Sequence, residues 1–176
     1  MIPAQLRNFT GFDAGRQILG VADIVLPNFQ YMTESMAGAG MNGEIDSPTV
    51  GHFQSLTTTI NWRSLTADNI RYTAPRTYHF DFRGDVQFYD EGSGDFLEQS
   101  VKLVLRCVPK GFNPGSFTKS SLMGTSAEYE ILYVKLSITH RVVVEIDKLN
   151  YICKMIGPNG TLIDYLRESR RNLGLD

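Results

Sequence analysis

The chain has 176 residues, 42% of them apolar and 20% charged, with a net charge of −2. That length suits one domain, or one domain with long excursions, and the composition is ordinary for a soluble globular protein. A pI near 5.9 supplies no global basic field to hold nucleic acid. No apolar run approaches the roughly 20 residues that span a bilayer, and Met1-Ile2-Pro3-Ala4-Gln5-Leu6-Arg7 lacks the basic start and apolar core of a secretory signal.

In chain order, residues 1–15 are mixed and turn-rich and read as an N-terminal arm anchored by Phe9 and Phe12 rather than as a regular element. Residues 18–26 read as a short strand stopped by Pro27-Asn28, and residues 29–36 as a second strand. Gly38-Ala39-Gly40-Met41-Asn42-Gly43 carries the letters of a dinucleotide fingerprint. That motif works only after a buried strand and within the start of a helix. Thr33-Glu34-Ser35 precedes it and Glu44-Ile45-Asp46-Ser47-Pro48 follows without a helical period. Residues 37–49 therefore read as a long inter-strand loop, able to reach a neighbouring molecule, and no cofactor site is expected. Strand chemistry returns over 50–62, with Leu56, Ile60 and Trp62 on one face. Thr66 is placed to cap a short helix through Ile70, which Pro75 closes off.

The dominant pattern follows. Tyr78, Phe80, Phe82, Val86 and Phe88 alternate with Thr77, His79, Asp81, Arg83, Asp85 and Gln87, so they share one face of a strand, with Gly84 between them. After the polar turn at 90–95, Leu97, Val101, Leu103, Leu105 and Cys107 alternate with Glu98, Ser100, Lys102 and Arg106. Two such arms joined by a short turn make an antiparallel hairpin. Each arm is roughly 40 Å long at about 3.3 Å per residue. A small core does not need that length, so part of the hairpin is expected to pack on another subunit. Residues 109–124 read as a loop carrying Lys110 and Lys119, and residues 127–138 as a strand apolar on both faces and hence covered on both. Residues 142–147 and 151–153 continue the sheet. A C-terminal helix is expected over 161–173, with Thr161 and Asp164 as a capping pair, arginines near its end and Gly174 as its stop.

A search for chemistry finds little. His52, His79 and His140 stand in no metal spacing, Cys107 and Cys153 form no CxxC pair and read as buried reduced thiols, and no nucleophile elbow or P-loop occurs. His79, Asp81 and Asp85 share a polar strand face, the one place for an acid–base cluster. The sequons at Asn8 and Asn159 lack a secretory signal beside them. No catalytic, cofactor or metal residue is assigned, and no enzyme is expected.

Several stretches together resemble the major tail tube proteins of contractile-tailed bacteriophages and phage-tail-like bacteriocins. They are Leu6-Arg7-Asn8-Phe9, Gly20-Val21-Ala22-Asp23, Leu26-Pro27, Ala39-Gly40-Met41-Asn42-Gly43, the long hairpin, Glu145-Ile146-Asp147-Lys148-Leu149-Asn150 and Arg170-Arg171-Asn172-Leu173-Gly174-Leu175. Order and spacing carry the resemblance across nearly the whole chain. It implies a mainly β single domain over 1–176: an antiparallel sandwich or open barrel with a flanking helix. It further implies hexameric rings, in which strands of successive subunits close an inner barrel and the rings stack into a tube within a contractile sheath. Expected partners are further copies of the chain, the tail sheath, the tape measure, and the baseplate and tail terminator proteins. DNA would pass through the lumen without specific binding, and nothing inserts into a membrane. The expected location is a virion tail or tailocin particle assembled in the host cytoplasm. Phe9 and Phe12 in the arm, and Gly40, Met41, Asn42 and Gly43 in the loop, are the candidate ring-stacking contacts. Two alternatives differ in kind: the tube of a protein-translocating injection system, and a monomeric small-molecule-binding β-barrel with an enclosed apolar cavity.

Overall fold

The computed structural model describes residues 2–18 and 20–175, apart from the side chains of residues 3 and 4. Met1 and Asp176, the ends of the expected domain, and Leu19 of the expected 18–26 strand lie outside the described residues. The chain is mainly β, as expected, and every strand pairing is antiparallel.

The first strands are β1 (Ile2–Asp13), β2 (Arg16–Ile18), β3 (Val21–Val25), β4 (Tyr31–Met36), β5 (Ile45–Phe53) and β6 (Thr57–Trp62). Helix α1 (Ala67–Arg71) comes next, then the long hairpin of β7 (Tyr78–Tyr89) and β8 (Phe96–Asn113). The chain ends with β9 (Thr125–Ile138), β10 (Arg141–Asp147), β11 (Ile152–Ile156), β12 (Leu162–Asp164) and helix α2 (Arg167–Leu173). The main sheet runs β12-β11-β10-β9-β8-β7-β1-β2, and β6 with β3 branches from the first half of β9. Strands β4 and β5 form a separate two-stranded arm.

The hairpin forms as expected, and its register runs from Tyr78 opposite Cys107 to Tyr89 opposite Phe96. Thr66 caps α1 as expected, its hydroxyl accepting the Asn69 N–H at 3.2 Å. Five other elements differ from expectation, each for a local reason.

Residues 1–15 do not form an irregular arm: Ile2–Asp13 is a strand lying along β7. Register shifts between Pro3 and Gln5 and between Leu6 and Asn8 each advance the strand by one residue. Each shift flips the side-chain phase, which hides the alternation from a reading with period 2. Residues 18–26 are interrupted at Gly20, whose φ of +77° turns the chain between β2 and β3.

The loop expected over 37–49 is shorter, because Ile45–Phe53 is strand; residues 37–44 alone connect the arm. Strand β9 is not apolar on both faces. A bulge between its pairings with Arg106 and Cys107 brings Tyr129, Ile131, Val134 and Leu136 to the core side and turns Tyr133 and Lys135 away.

The helix expected over 161–173 starts late. Residues 162–164 add a strand to β11, and α2 begins at Arg167 with no side-chain cap at Leu166. Asp164 instead accepts the Leu166 N–H at 3.2 Å and pairs with Arg170 at 2.8 Å. Gly174 stops the helix at φ +67°, as expected.

The core occupies one end of the long hairpin. Tyr78, Phe80, Phe82, Leu103, Leu105 and Cys107 are buried there with Ile60, Trp62, Tyr129, Ile131, Val134 and Ile146. The aromatic side chains fill the space. Tyr78 stacks on Phe80 at 5.6 Å between ring centroids, Tyr129 meets Phe80 edge-on at 5.3 Å, and Tyr72 stacks on Trp62 at 6.4 Å. Two of the hydroxyls are satisfied by backbone: Tyr78 donates to the carbonyls of Arg71 and Ala74, and Tyr129 to that of Tyr72 at 3.0 Å.

Candidate assembly surface

The same apolar alternation continues past the core to the other end of the hairpin, where it is only partly covered. Beyond Gly84, Val86 and Phe88 are only half-buried and Leu97 is exposed; at the tip Phe96, paired with Tyr89 on the other face, is 64% exposed. Leu6 on β1, opposite Val86, is 54% exposed. Strand β3 stands over this bare half and makes the second wall of a groove of about 400 Å³. Leu6, Phe9, Ile24, Leu26, Val86 and Val101 line it. Gly84 lies at its floor, 3.0 Å from Leu6 Cδ1 measured from where a Cβ would stand.

The opposite face of the sheet is polar and self-paired. Arg7 bonds Asp85 at 2.5 Å and Glu98 at 2.6 Å. Asp81 receives Arg83 at 2.9 Å and Lys102 at 3.2 Å. Arg106 meets Asp147 at 3.1 Å, and Glu145 takes Lys154 at 3.0 Å, the Tyr133 hydroxyl at 2.9 Å and Lys135 at 4.0 Å. Burial alone would push Asp81 and Glu145 upward, but these hydrogen bonds and charges outweigh it and hold both carboxyls below their ordinary values. Exposed pairs of this kind add little stability. Their effect is to cancel charge across the face.

The β4–β5 arm is the third feature. Both strands are exposed along most of their length. Only its base is anchored, where Phe53 meets Tyr31 at 4.8 Å and Phe29 at 6.4 Å between ring centroids. Met32, Met36, Ile45 and Val50 are all exposed, and Met36 pairs directly across from Ile45.

The expected stacking residues are thereby separated. Phe9 lines the groove, whereas Phe12 is on the polar face of β1 beneath the Arg83 guanidinium, 5.1 Å from its ring. Gly40, Met41, Asn42 and Gly43 sit together at the tip of the β4–β5 arm. Asp81 and Asp85 are drawn into ion pairs, and His79 lies opposite Arg106, so no acid–base cluster forms around them. Cys107 and Cys153 are buried and free, and burial pushes the Cys107 thiol up to about 12.

Of the groove lining only Phe9 was read from sequence as a contact, although Val86 and Val101 were read as part of the hairpin's apolar face; Met32, Met36, Ile45 and Val50 of the arm were not read as contacts. The available signals were the hairpin's apolar alternation running beyond any core it could fill, and the Met-rich stretch 32–41 beside Ile45.

Comparison with known proteins agrees with this geometry. The family model described as phage tail tube protein FII matches residues 3–174. The tail tube protein of Escherichia phage P2 is 27% identical over 184 residues, covering 99% of both chains. In fold, the chain resembles one in the cryo-EM structure of an extracellular contractile injection system, the PVC sheath/tube terminator in the extended state. That match has a TM-score of 0.53 at 14% identity and covers 78% of this chain and 98% of that one. A uniform antiparallel framework, an uncovered apolar half-sheet and a family match from end to end give one conclusion: the chain belongs to the phage tail tube protein FII family.

Proposed function

We propose that the protein is the structural subunit of the inner tube of a contractile tail, joining side by side into hexameric rings that stack into a hollow conduit. The observation that carries the reading is the bare apolar half of the β7–β8 hairpin, in a chain of tail tube family. Uncovered strands and sheet edges are aggregation hazards in a monomer. Strands of successive subunits closing into an inner barrel remove those edges. Weak contacts repeated around every ring become strong through multivalency.

The lumen serves passage of DNA, or of a puncturing device, while the sheath supplies the force. A polyanion is held where phosphates displace counterions from lysine and arginine. The polar face of the sheet suits passage rather than holding, because Arg7, Arg83, Lys102, Arg106 and Lys135 each already meet a carboxylate. In this reading the partners are sheath, tape measure, baseplate and terminator proteins, the site is the virion tail, and assembly takes place in the host cytoplasm. The tip of the β4–β5 arm, Gly40 to Gly43, contacts the adjoining ring, with Phe9 and Phe12 contributing from β1.

Electron microscopy of the purified protein tests this. Rings and tubes are expected from the intact chain, and folded subunits without tubes from one whose residues 38–43 are replaced by a two-residue turn. Monomers at every concentration would overturn the tube reading, and normal tubes from the shortened chain would overturn the stacking role of the tip.

A further inference from the structure

The β7–β8 hairpin carries opposite charge at its two ends. Towards the tip, residues 84–101 contain Asp85, Asp90, Glu91, Asp95 and Glu98 and no lysine or arginine. Arg7 reaches in from β1 and pairs with Asp85 and Glu98. Asp90, Glu91 and Asp95 are left without a cation among the described residues. The turn holds its own shape. The Asp90 N–H donates to the Asp95 carbonyl and the Gly94 N–H to the Asp90 carbonyl, both at 2.9 Å, and the Ser93 hydroxyl donates to the Asp90 carboxylate at 3.1 Å. The carboxylates of Glu91 and Asp95 take no part in these bonds and are exposed, beside the Tyr89–Phe96 pair at 5.5 Å between ring centroids.

The other end of β7, roughly 40 Å away at about 3.3 Å per residue, is basic. A cleft of about 250 Å³ opens there between β2 and α1, lined among others by Arg16, Gln17, Ser64, Asn69 and Arg71. Pairing fixes its place: Arg16 lies opposite Asp13, Asp13 opposite Phe80, and the Tyr78 hydroxyl donates to the Arg71 carbonyl. Arg63 borders the cleft, its N–H bound to the Gly20 carbonyl at 3.2 Å. Its own carbonyl accepts the Met123 N–H at 3.2 Å and so holds the loop that carries Lys119. The acids at this end are engaged: Asp68 pairs with Arg71 at 3.2 Å, Glu128 with Lys110 at 3.5 Å, and Asp13 lies within electrostatic reach of Arg76. Arg16, Arg63 and Lys119 are exposed and make no ion pair among the described residues.

We propose that the hairpin tip of one copy docks against the β2–α1 cleft of the next, Glu91 and Asp95 meeting Arg16 and Arg63. This rests on the tube reading and names the contact that gives the tube its head-to-tail polarity. Both halves of the pair are present on every copy, and an arginine fork matches the geometry of a carboxylate. Tip and cleft are different surfaces, so the contact is heterologous and propagates into rings or filaments instead of stopping at a dimer. Tip against tip, or cleft against cleft, sets like charges together. Complementary charge of this kind selects orientation and speeds encounter more than it adds affinity.

Charge reversal with rescue is the test, read as the lowest protein concentration that yields rings or tubes in electron micrographs. Glu91→Lys with Asp95→Lys in one chain, and Arg16→Glu with Arg63→Glu in another, are each expected to keep the native β circular dichroism. Each is expected to raise the assembly concentration at least about tenfold, because like charges then face each other across the contact. A chain carrying all four substitutions restores opposite signs and is expected to assemble within about threefold of the native concentration. If a reversed chain does not fold, Glu91→Gln with Asp95→Asn reads the same contact, with an expected rise of at least about threefold. Normal assembly of the folded single-end variants, or failure of the folded four-substitution chain to recover, would overturn the tip-and-cleft contact and leave the tube reading standing. If unsubstituted protein forms no rings or tubes, the tube reading fails and this contact fails with it.

Discussion

Two glycines on the same sheet face make opposite predictions. A Cβ on Gly11 would stand 2.7 and 2.8 Å from the ring of Phe82, which is buried in the core cluster. Gly11→Ala is expected to destabilise the monomer by about 1–3 kcal/mol, the usual cost of overpacking. At Gly84 the one tight approach is the exposed end of Leu6 at 3.0 Å, with Val101 at ordinary contact distance, so Gly84→Ala should be close to neutral in the same urea titration. Asp147 is the other residue on which local structure hangs. Its carboxylate accepts the N–H groups of Leu149 and Asn150 at 3.0 and 3.1 Å and the Asn150 amide at 2.7 Å, and pairs with Arg106. Asp147→Ala should cost about 2 kcal/mol, since it orphans the turn's donors while Arg106 can turn to solvent.

Four carboxyls also set the acid limit. Burial raises Asp81, Glu130, Glu145 and Asp164, but hydrogen bonds from Arg83 and Lys102, Ser55 and Lys148, Lys154 and Tyr133, and Arg170 leave all four below their ordinary values of 3.8 and 4.5. A depressed folded-state value contributes stability that is full above the ordinary value and lost as pH falls through the lowered one. Denaturation midpoints should therefore be insensitive to these groups between about pH 5 and 7 and drop on acidification below about pH 4.

At the scale of elements, legibility followed regularity. The β7–β8 hairpin and the Thr66-capped helix could be read from residues because their periods are unbroken and the cap is local. Strand β1 escaped notice because two register shifts within Ile2–Asp13 scramble its alternation. Strand β9 looked apolar on both faces for the same reason, one bulge near Leu132. The late start of α2 reflects a contest no local pattern decides: Leu162, Ile163 and Asp164 gain ladder pairing with β11, and Asp164 still serves the helix by binding Arg170. The candidate surface was half-legible. The excess length of the hairpin pointed to a missing partner, but the groove needs β3 beside the sheet, and that proximity arises only from the branch through β6 and β9.

For the whole molecule, the packed core uses one half of the long hairpin, and the other half and the β4–β5 arm stand without cover. Burying one large aliphatic side chain contributes about 1.5–3 kcal/mol. In the proposed tube, covering a handful per copy and repeating this around each ring supplies the drive to assemble. Amide hydrogen exchange, measured on the same protein dilute and assembled, addresses this most directly. Exchange within residues 31–53 and in the bare segments 5–9, 84–89 and 96–101 should slow at least tenfold on assembly, while the core halves of β7 to β9 stay as protected as before. Equal exchange of the arm and the bare segments in both states would contradict the account.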